Sequence, residues 1–104
     1  MPLTAVKLKV CCIASVAEAE LALAHRADAL GLVSAMPSGP GPIPDDDIAF
    51  VARAVGGRAR TFLLTSRTEP RDIAAQVRAA GTDTVQLVDT VNEGALQELR
   101  ALLP

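Results

Sequence analysis

The 104-residue sequence has no tryptophan, no tyrosine and only two phenylalanines. A chain so poor in aromatics offers no stacking platform for single-stranded nucleic acid. Its ten Lys and Arg are scattered, and the formal net charge is -2. No basic footprint for nucleic acid is therefore present. No apolar run approaches the ~20 residues that span a bilayer, and Lys7 and Lys9 break the first apolar segment, which argues against a secretory signal. One histidine and two adjacent cysteines give no metal-ligand spacing, so no metal is expected. No GxGxxG or P-loop pattern follows the first strand, and no cofactor is expected either. Two unpartnered thiols without a signal segment fit a reducing, cytoplasmic setting.

What is present is a hydrophobic pattern that switches repeatedly between the period of a strand and that of a helix. Val6 to Ile13 reads as a strand. Ser15-Val-Ala-Glu18 is a capping box that opens a helix running to about His25. Ala29 to Ser34 is a second strand, followed by a Pro- and Gly-rich loop from Met36 to Pro44. A helix begins near Pro44 with Asp45, Asp46 and Asp47 in its first turn, where carboxylates suit the positive end of the helix dipole. Gly56 and Gly57 end it. Arg60 to Thr65 is a third strand, Ser66 to Glu69 a cap, and Pro70 to Ala80 a helix that stops at Gly81. Thr84 to Val88 is the fourth strand. Thr90-Val-Asn-Glu93 reads as another capping box, and the last helix reaches Leu102. The order βαβαβαβα implies parallel strands joined by right-handed crossovers, in one domain over 1–104.

An internal echo supports this frame. Ala27-Asp-Ala-Leu-Gly-Leu-Val33 aligns with Thr82-Asp-Thr-Val-Gln-Leu-Val88, two βα units later. In the first strand, alternation puts Lys7, Lys9 and Cys11 on one face and Leu8, Val10 and Cys12 on the other. The echo places Gly31 with Gln86 on the mixed face. The uniformly apolar face belongs under the helices, so Cys12 is expected there as a small hydrophobe. Cys11 is expected at the carboxyl end of the strand on the mixed face, where parallel α/β folds bind ligands. Lys9, two positions earlier, is placed to favour a thiolate by its charge. The candidate catalytic residue is Cys11; Lys9, Gly31 and Gln86 are candidate substrate-binding residues.

These segments, KVCCIAS, ADALGLV, the Pro-rich loop, PDDD and TDTVQLVD, resemble in order and spacing those of phosphoribosylanthranilate isomerase. That family has K-[IV]-C-G-I-T, GADALGFVF, a KSPR-type loop and AVQLHG. The resemblance implies a (βα)4 half of a TIM-type (βα)8 barrel. It also implies an enzyme of tryptophan biosynthesis: an isomerase performing the Amadori aldose-to-ketose conversion of N-(5-phosphoribosyl)anthranilate. It makes Cys11 the general base, with a later aspartate as general acid, and a sugar phosphate the small-molecule partner.

The departures bear on activity. Cys12 stands where the family has glycine, a permissive backbone position. PSGPGPIP contains no counterpart of the arginine in the KSPR loop, and Val88 replaces the family's histidine. The family's acid and phosphate loops belong to a half that four units do not supply. The chain alone is therefore expected to have little or no isomerase activity. Its bare sheet face and two strand edges are expected to be completed by a missing C-terminal half or by self-association. A non-catalytic half-barrel that serves oligomerisation or regulation is the alternative.

Overall fold

The computed structural model describes residues 5–104. It contains β1 (Lys9–Val10), α1 (Val16–Ala24), β2 (Ala29–Val33), α2 (Asp45–Val55), β3 (Arg60–Thr65), α3 (Pro70–Ala80), β4 (Thr84–Leu87) and α4 (Glu93–Leu102). The four strands form one parallel sheet in the order β1-β2-β3-β4. Successive parallel neighbours joined by crossovers of one hand put every helix on the same face. The result is four consecutive βα units curved around one side of a sheet.

The core lies between that face and the helices. Leu30, Leu32 and Leu63 from the strands are wholly buried against Ala19, Ile48, Val51 and Val55 from α1 and α2. A second cluster joins Ile73 and Ala74 of α3 to Leu99 of α4. Small and branched side chains suffice because the helices pack close to the strands. Among the described residues the opposite face has no such layer. The exposed area is 6587 Å², against about 5,500 Å² for a globular monomer of this mass. The radius of gyration, 14.2 Å, likewise exceeds the ~13 Å of a closed domain of this length.

Helix ends follow local chemistry. Ser15 caps α1 by accepting the Glu18 N–H, while the Glu18 carboxylate accepts the Ala14 N–H. Gly56 and Gly81 end α2 and α3 in the left-handed conformation. Two expected caps are corrected. The N-cap of α4 is Asn92, whose side chain accepts the Ala95 N–H, rather than Thr90. The N-cap of α3 is Glu69, without a side-chain bond, and Ser66 instead donates to the Ala35 carbonyl. Pro44 is the N-cap of α2 rather than its first residue.

The first strand is also shorter than its alternation suggests. Its ladder covers only Lys9–Val10, although Leu8 and Ile13 still bond to β2 and its approach through the Leu8 carbonyl and the Ile13 N–H. The cause is Cys12, whose φ is 58°. That turn breaks the two-residue alternation, so Ile13 enters the core at 3% exposure while Cys12 stays exposed. The expectation that Cys12 packs beneath the helices is therefore overturned, and Leu8, at 52% exposure, also lies outside the core.

The sequence echo has a structural meaning. The Asp28 N–H donates to the Leu8 carbonyl at 2.8 Å, and its carboxylate accepts the Leu8 N–H at 2.8 Å. Asp83 does the same to Thr61: its N–H donates to the Thr61 carbonyl and its carboxylate accepts the Thr61 N–H. Each aspartate thus clasps the strand before its own at both backbone groups of one residue.

Two stability measurements test these assignments. Replacing Cys12 by glycine should raise the unfolding free energy by about 1 kcal/mol, since the left-handed conformation is costly for a residue with a Cβ; an unchanged or lower denaturation midpoint contradicts the strain. Asp28→Ala should cost about 1 kcal/mol by freeing the Leu8 N–H, with faster hydrogen exchange at Leu8 than in the parent.

Candidate active site on the open face of the sheet

The open face is built from the strand residues that point away from the helices. Leu30 and Leu32 point into the core, so Ala29, Gly31 and Val33 point the other way. The register pairs Gly31 with Phe62 and Phe62 with Thr84, and pairs Leu64 with Gln86. Lys9 pairs with Ala29 on the same face.

Cys11 sits at the carboxyl end of β1 over Gly31. A Cβ on Gly31 would lie 2.7 Å from the Cys11 Sγ and 3.1 Å from its Cα. No side chain can stand there without moving the cysteine. Gly31 is itself buried, and the space above its Cα belongs to Cys11. The glycine's contribution to this face is to seat the thiol. Cys11 is exposed, facing the open side.

Lys9 crosses the sheet. Its ammonium lies 4.2 Å from the centroid of the Phe62 ring and donates to Gln86 Oε1 on β4. The stem and head span two strands, so the residue braces the open face from one edge to the other. Sequence reasoning placed Lys9 and Gln86 on one face but not in contact. It missed Phe62 entirely, although the alternation of RTFLLT marks it. Lys9 makes no hydrogen bond to Cys11, its ammonium being taken up by Gln86 and the Phe62 ring.

Cys12 turns toward the Pro- and Gly-rich loop. Its Sγ lies 3.8 Å from the Pro40 carbonyl oxygen, and a Cβ on Gly41 would meet it at 2.7 Å. Gly41 has a φ of 100°. So each thiol is received by its own glycine, Cys11 by the sheet and Cys12 by the loop. Partial removal from solvent, then the charge of Cys11, then its hydrogen bond push the Cys12 thiol above the ordinary range. The shift disfavours the Cys12 thiolate, the form a base would need.

At the carboxyl ends of the strands, a shallow groove of about 380 Å³ runs between Met36, Ser38, Ser66 and Asp89. Asp89 supplies its carboxylate. A second cleft, about 370 Å³, lies at the opposite end among Lys7, Lys9, Arg60 and Phe62. Among the described residues no group of three His, Cys, Asp or Glu is placed to hold a metal. No helix there is long and apolar enough to cross a membrane.

The two thiols differ in a way that titration can read. Alkylation of Cys12 by iodoacetamide should have its pH midpoint above the ordinary thiol range, and Cys11→Ser should lower that midpoint, because two of its three causes come from Cys11. Resolving the two sites by peptide mass spectrometry checks both statements; an unmoved Cys12 midpoint in Cys11→Ser contradicts the coupling.

No family model matches the sequence. A curated N-(5'-phosphoribosyl)anthranilate isomerase from Azorhizobium caulinodans is 35% identical over 83 residues, 80% of this chain and 36% of that protein. Among solved structures, phosphoribosyl anthranilate isomerase from Thermotoga maritima superposes with a TM-score of 0.85 at 19% identity, over 95% of this chain and 48% of that one. TrpF from Jonesia denitrificans gives a TM-score of 0.85 at 25% identity, over 96% and 48%. The chain thus spans about half the length of the structures it matches, and about a third of the curated relative. The four parallel units described above are the half of a TIM barrel that these structures contain. In sequence and in fold together, the chain is similar to phosphoribosylanthranilate isomerases, over about half the length of their solved structures.

Proposed function

We propose that the chain supplies the cysteine-bearing N-terminal half of a phosphoribosylanthranilate isomerase-type active site, acting in tryptophan biosynthesis in the cytoplasm. The reading is supported by one observation above the others: Cys11 stands exposed at the carboxyl end of β1, on the uncovered face, in a seat that Gly31 keeps open. Catalytic residues of eight-stranded α/β barrels come from the carboxyl ends of strands. A phosphoribosyl anthranilate isomerase of this fold has been solved with reduced 1-(o-carboxyphenylamino)-1-deoxyribulose 5-phosphate, a sugar-phosphate ligand.

The Amadori conversion of an N-glycosylated amine opens the sugar ring and moves a proton from C2. An acid must protonate the ring oxygen, and a base must remove the C2 proton. On this chain Cys11 is the base. Lys9, Phe62 and Gln86 form the floor on which the sugar lies, with Lys9 and Gln86 able to turn their polar heads from each other to hydroxyl groups. Cys12, whose thiolate is disfavoured and whose Sγ faces the Pro40 carbonyl, does not compete for the C2 proton. The acid and the phosphate-binding loops come from the completing half, so the 104-residue chain alone has little or no isomerase activity.

A second reading, a half-barrel that serves assembly rather than turnover, draws on one feature. The loop from Met36 to Pro44 has no basic residue to hold the anthranilate carboxylate. Both readings meet the same experiment. In a full-length barrel carrying this half, Cys11→Ser should lower kcat for phosphoribosylanthranilate by about 10²–10⁴, the usual worth of a general base, while Cys12→Ser stays within a few-fold. Equal turnover by the Cys11→Ser variant removes Cys11 from the reaction; no turnover by the parent barrel supports the assembly reading.

A further inference from the structure

The charges at the carboxyl-end rim of the sheet are one-sided. The loops that follow the four strands are residues 11–15, 34–44, 66–69 and 88–92. Of the ten Lys and Arg and the one His in the chain, only Arg67 lies in any of these loops. Their other charged residues are Glu69 and Asp89, and the first helical turns beyond them add Glu18, Asp72, Glu93 and the triplet Asp45, Asp46 and Asp47. Arg71, in the first turn of α3, is taken up by Glu98 of α4 at 3.7 Å, in the helical layer. An anion that reaches the open face from this end meets a single cation among acids.

The backbone of Arg67 is fixed while its side chain is loosely held. The Ser34 N–H and Oγ both donate to the Leu64 carbonyl, at 3.0 and 2.8 Å, and Ser66 Oγ donates to the Ala35 carbonyl at 3.3 Å. These bonds lock the loop after β3 to the loop after β2. The Arg67 N–H donates to Thr65 Oγ1 at 3.1 Å, and Thr65 is wholly buried. Among the described residues the guanidinium has one partner, the Asp45 carboxylate, at 3.7 Å with both side chains about half exposed. That separation is beyond hydrogen-bond length, and an exposed pair of this kind is worth little. Asp45 keeps other support without it, since Gln76 donates to its carboxylate at 3.4 Å and the start of α2 favours its charge. Arg58, Arg78 and Arg100 differ: each guanidinium donates a hydrogen bond, to Glu20, to the Leu102 carbonyl and to the Pro104 carbonyl.

We infer that Arg67 binds the carboxylate on the aromatic ring of the substrate, its guanidinium passing from Asp45 to the ligand. The inference rests on the isomerase reading and supplies the cation that the loop from Met36 to Pro44 lacks. N-(5-phosphoribosyl)anthranilate has two anionic ends, a phosphate on the sugar and a carboxylate on the ring. With the phosphate held by the completing half, the carboxylate calls for a cation on this one. A guanidinium suits it, because its planar fork meets a carboxylate with two parallel N–H donors. The ligand carboxylate takes the place of the Asp45 carboxylate, so the charge balance at Arg67 is kept. Asp89, which lines the neighbouring groove from the loop after β4, repels the same carboxylate and turns it toward Arg67. Arg67 thereby sets specificity for an acidic amine over a neutral one.

The test uses a full-length barrel carrying this half and two ligands: reduced 1-(o-carboxyphenylamino)-1-deoxyribulose 5-phosphate and the same compound without its ring carboxylate. Titration calorimetry should show the parent preferring the first by about 10- to 100-fold, the usual worth of a hydrogen bond to a charged group. Arg67→Ala should abolish the preference by weakening the first ligand alone, and Arg67→Lys should restore part of it. Asp45→Asn, which releases the guanidinium, should bind the first ligand as tightly as the parent or more tightly. A pair that only braces the loops would instead make Arg67→Ala and Asp45→Asn fail together and weaken both ligands. Three results overturn the inference: a parent without the preference, an Arg67→Ala variant that keeps it, or parallel losses in Arg67→Ala and Asp45→Asn. Turnover of phosphoribosylanthranilate by the parent separates the two readings. Any of those three results beside normal turnover removes Arg67 and leaves the isomerase reading, whereas an Arg67-dependent preference without turnover removes the isomerase reading and keeps the carboxylate site.

Discussion

The constraint on which this structure rests is one-sided cover. Right-handed crossovers between adjacent parallel strands place every helix on one face, and the apolar alternation of each strand is spent there. Leu30, Leu32 and Leu63 are consumed by the helices, which leaves the other parity of residues without a layer. That parity carries Lys9, Cys11, Gly31, Phe62 and Gln86. Chemistry-bearing side chains stand together on this face because the core has no use for them.

Once the face is open, its side chains have to satisfy one another. Lys9 does so by lying over Phe62 and bonding to Gln86, an arrangement that shields the ring and pairs the ammonium. Such a pairing on a surface is worth little energetically. Its value is positional, since it ties together side chains from three strands of the open face. The two glycines do comparable work at the cysteines, each leaving room for a sulfur where any Cβ would collide.

Much of this was legible in the sequence because the signals are local. The limits of β3 and α3 follow from Gly56, Gly57, Pro70 and Gly81, residues whose backbone preferences act at one position. The face of Cys11 followed from alternation, and its structural seat agrees. Cys12 was misplaced because alternation assumes extended backbone, and nothing in CCIAS announces a left-handed cysteine; only the glycine of the related family pointed there. The caps at Ser66 and Thr90 were misjudged because Asn92 and Pro70 stand closer to the first helical turn. The Lys9–Gln86 bond lies beyond local reading altogether, since it joins residues 77 apart and depends on the register of three strand pairs.

The two aspartate clasps have a geometrical consequence. Apolar alternation fixes which face a strand presents, but a slide of two residues preserves the face and leaves the pattern content. Asp28 and Asp83 hold a single residue of the preceding strand by both its amide and its carbonyl, so they forbid that slide. In a closed barrel the sum of such offsets sets the shear, and with it the strand tilt and the bore. Two carboxylates outside the hydrophobic core thus fix two of the offsets that set the width of the cavity, a property that the core residues by themselves leave undetermined.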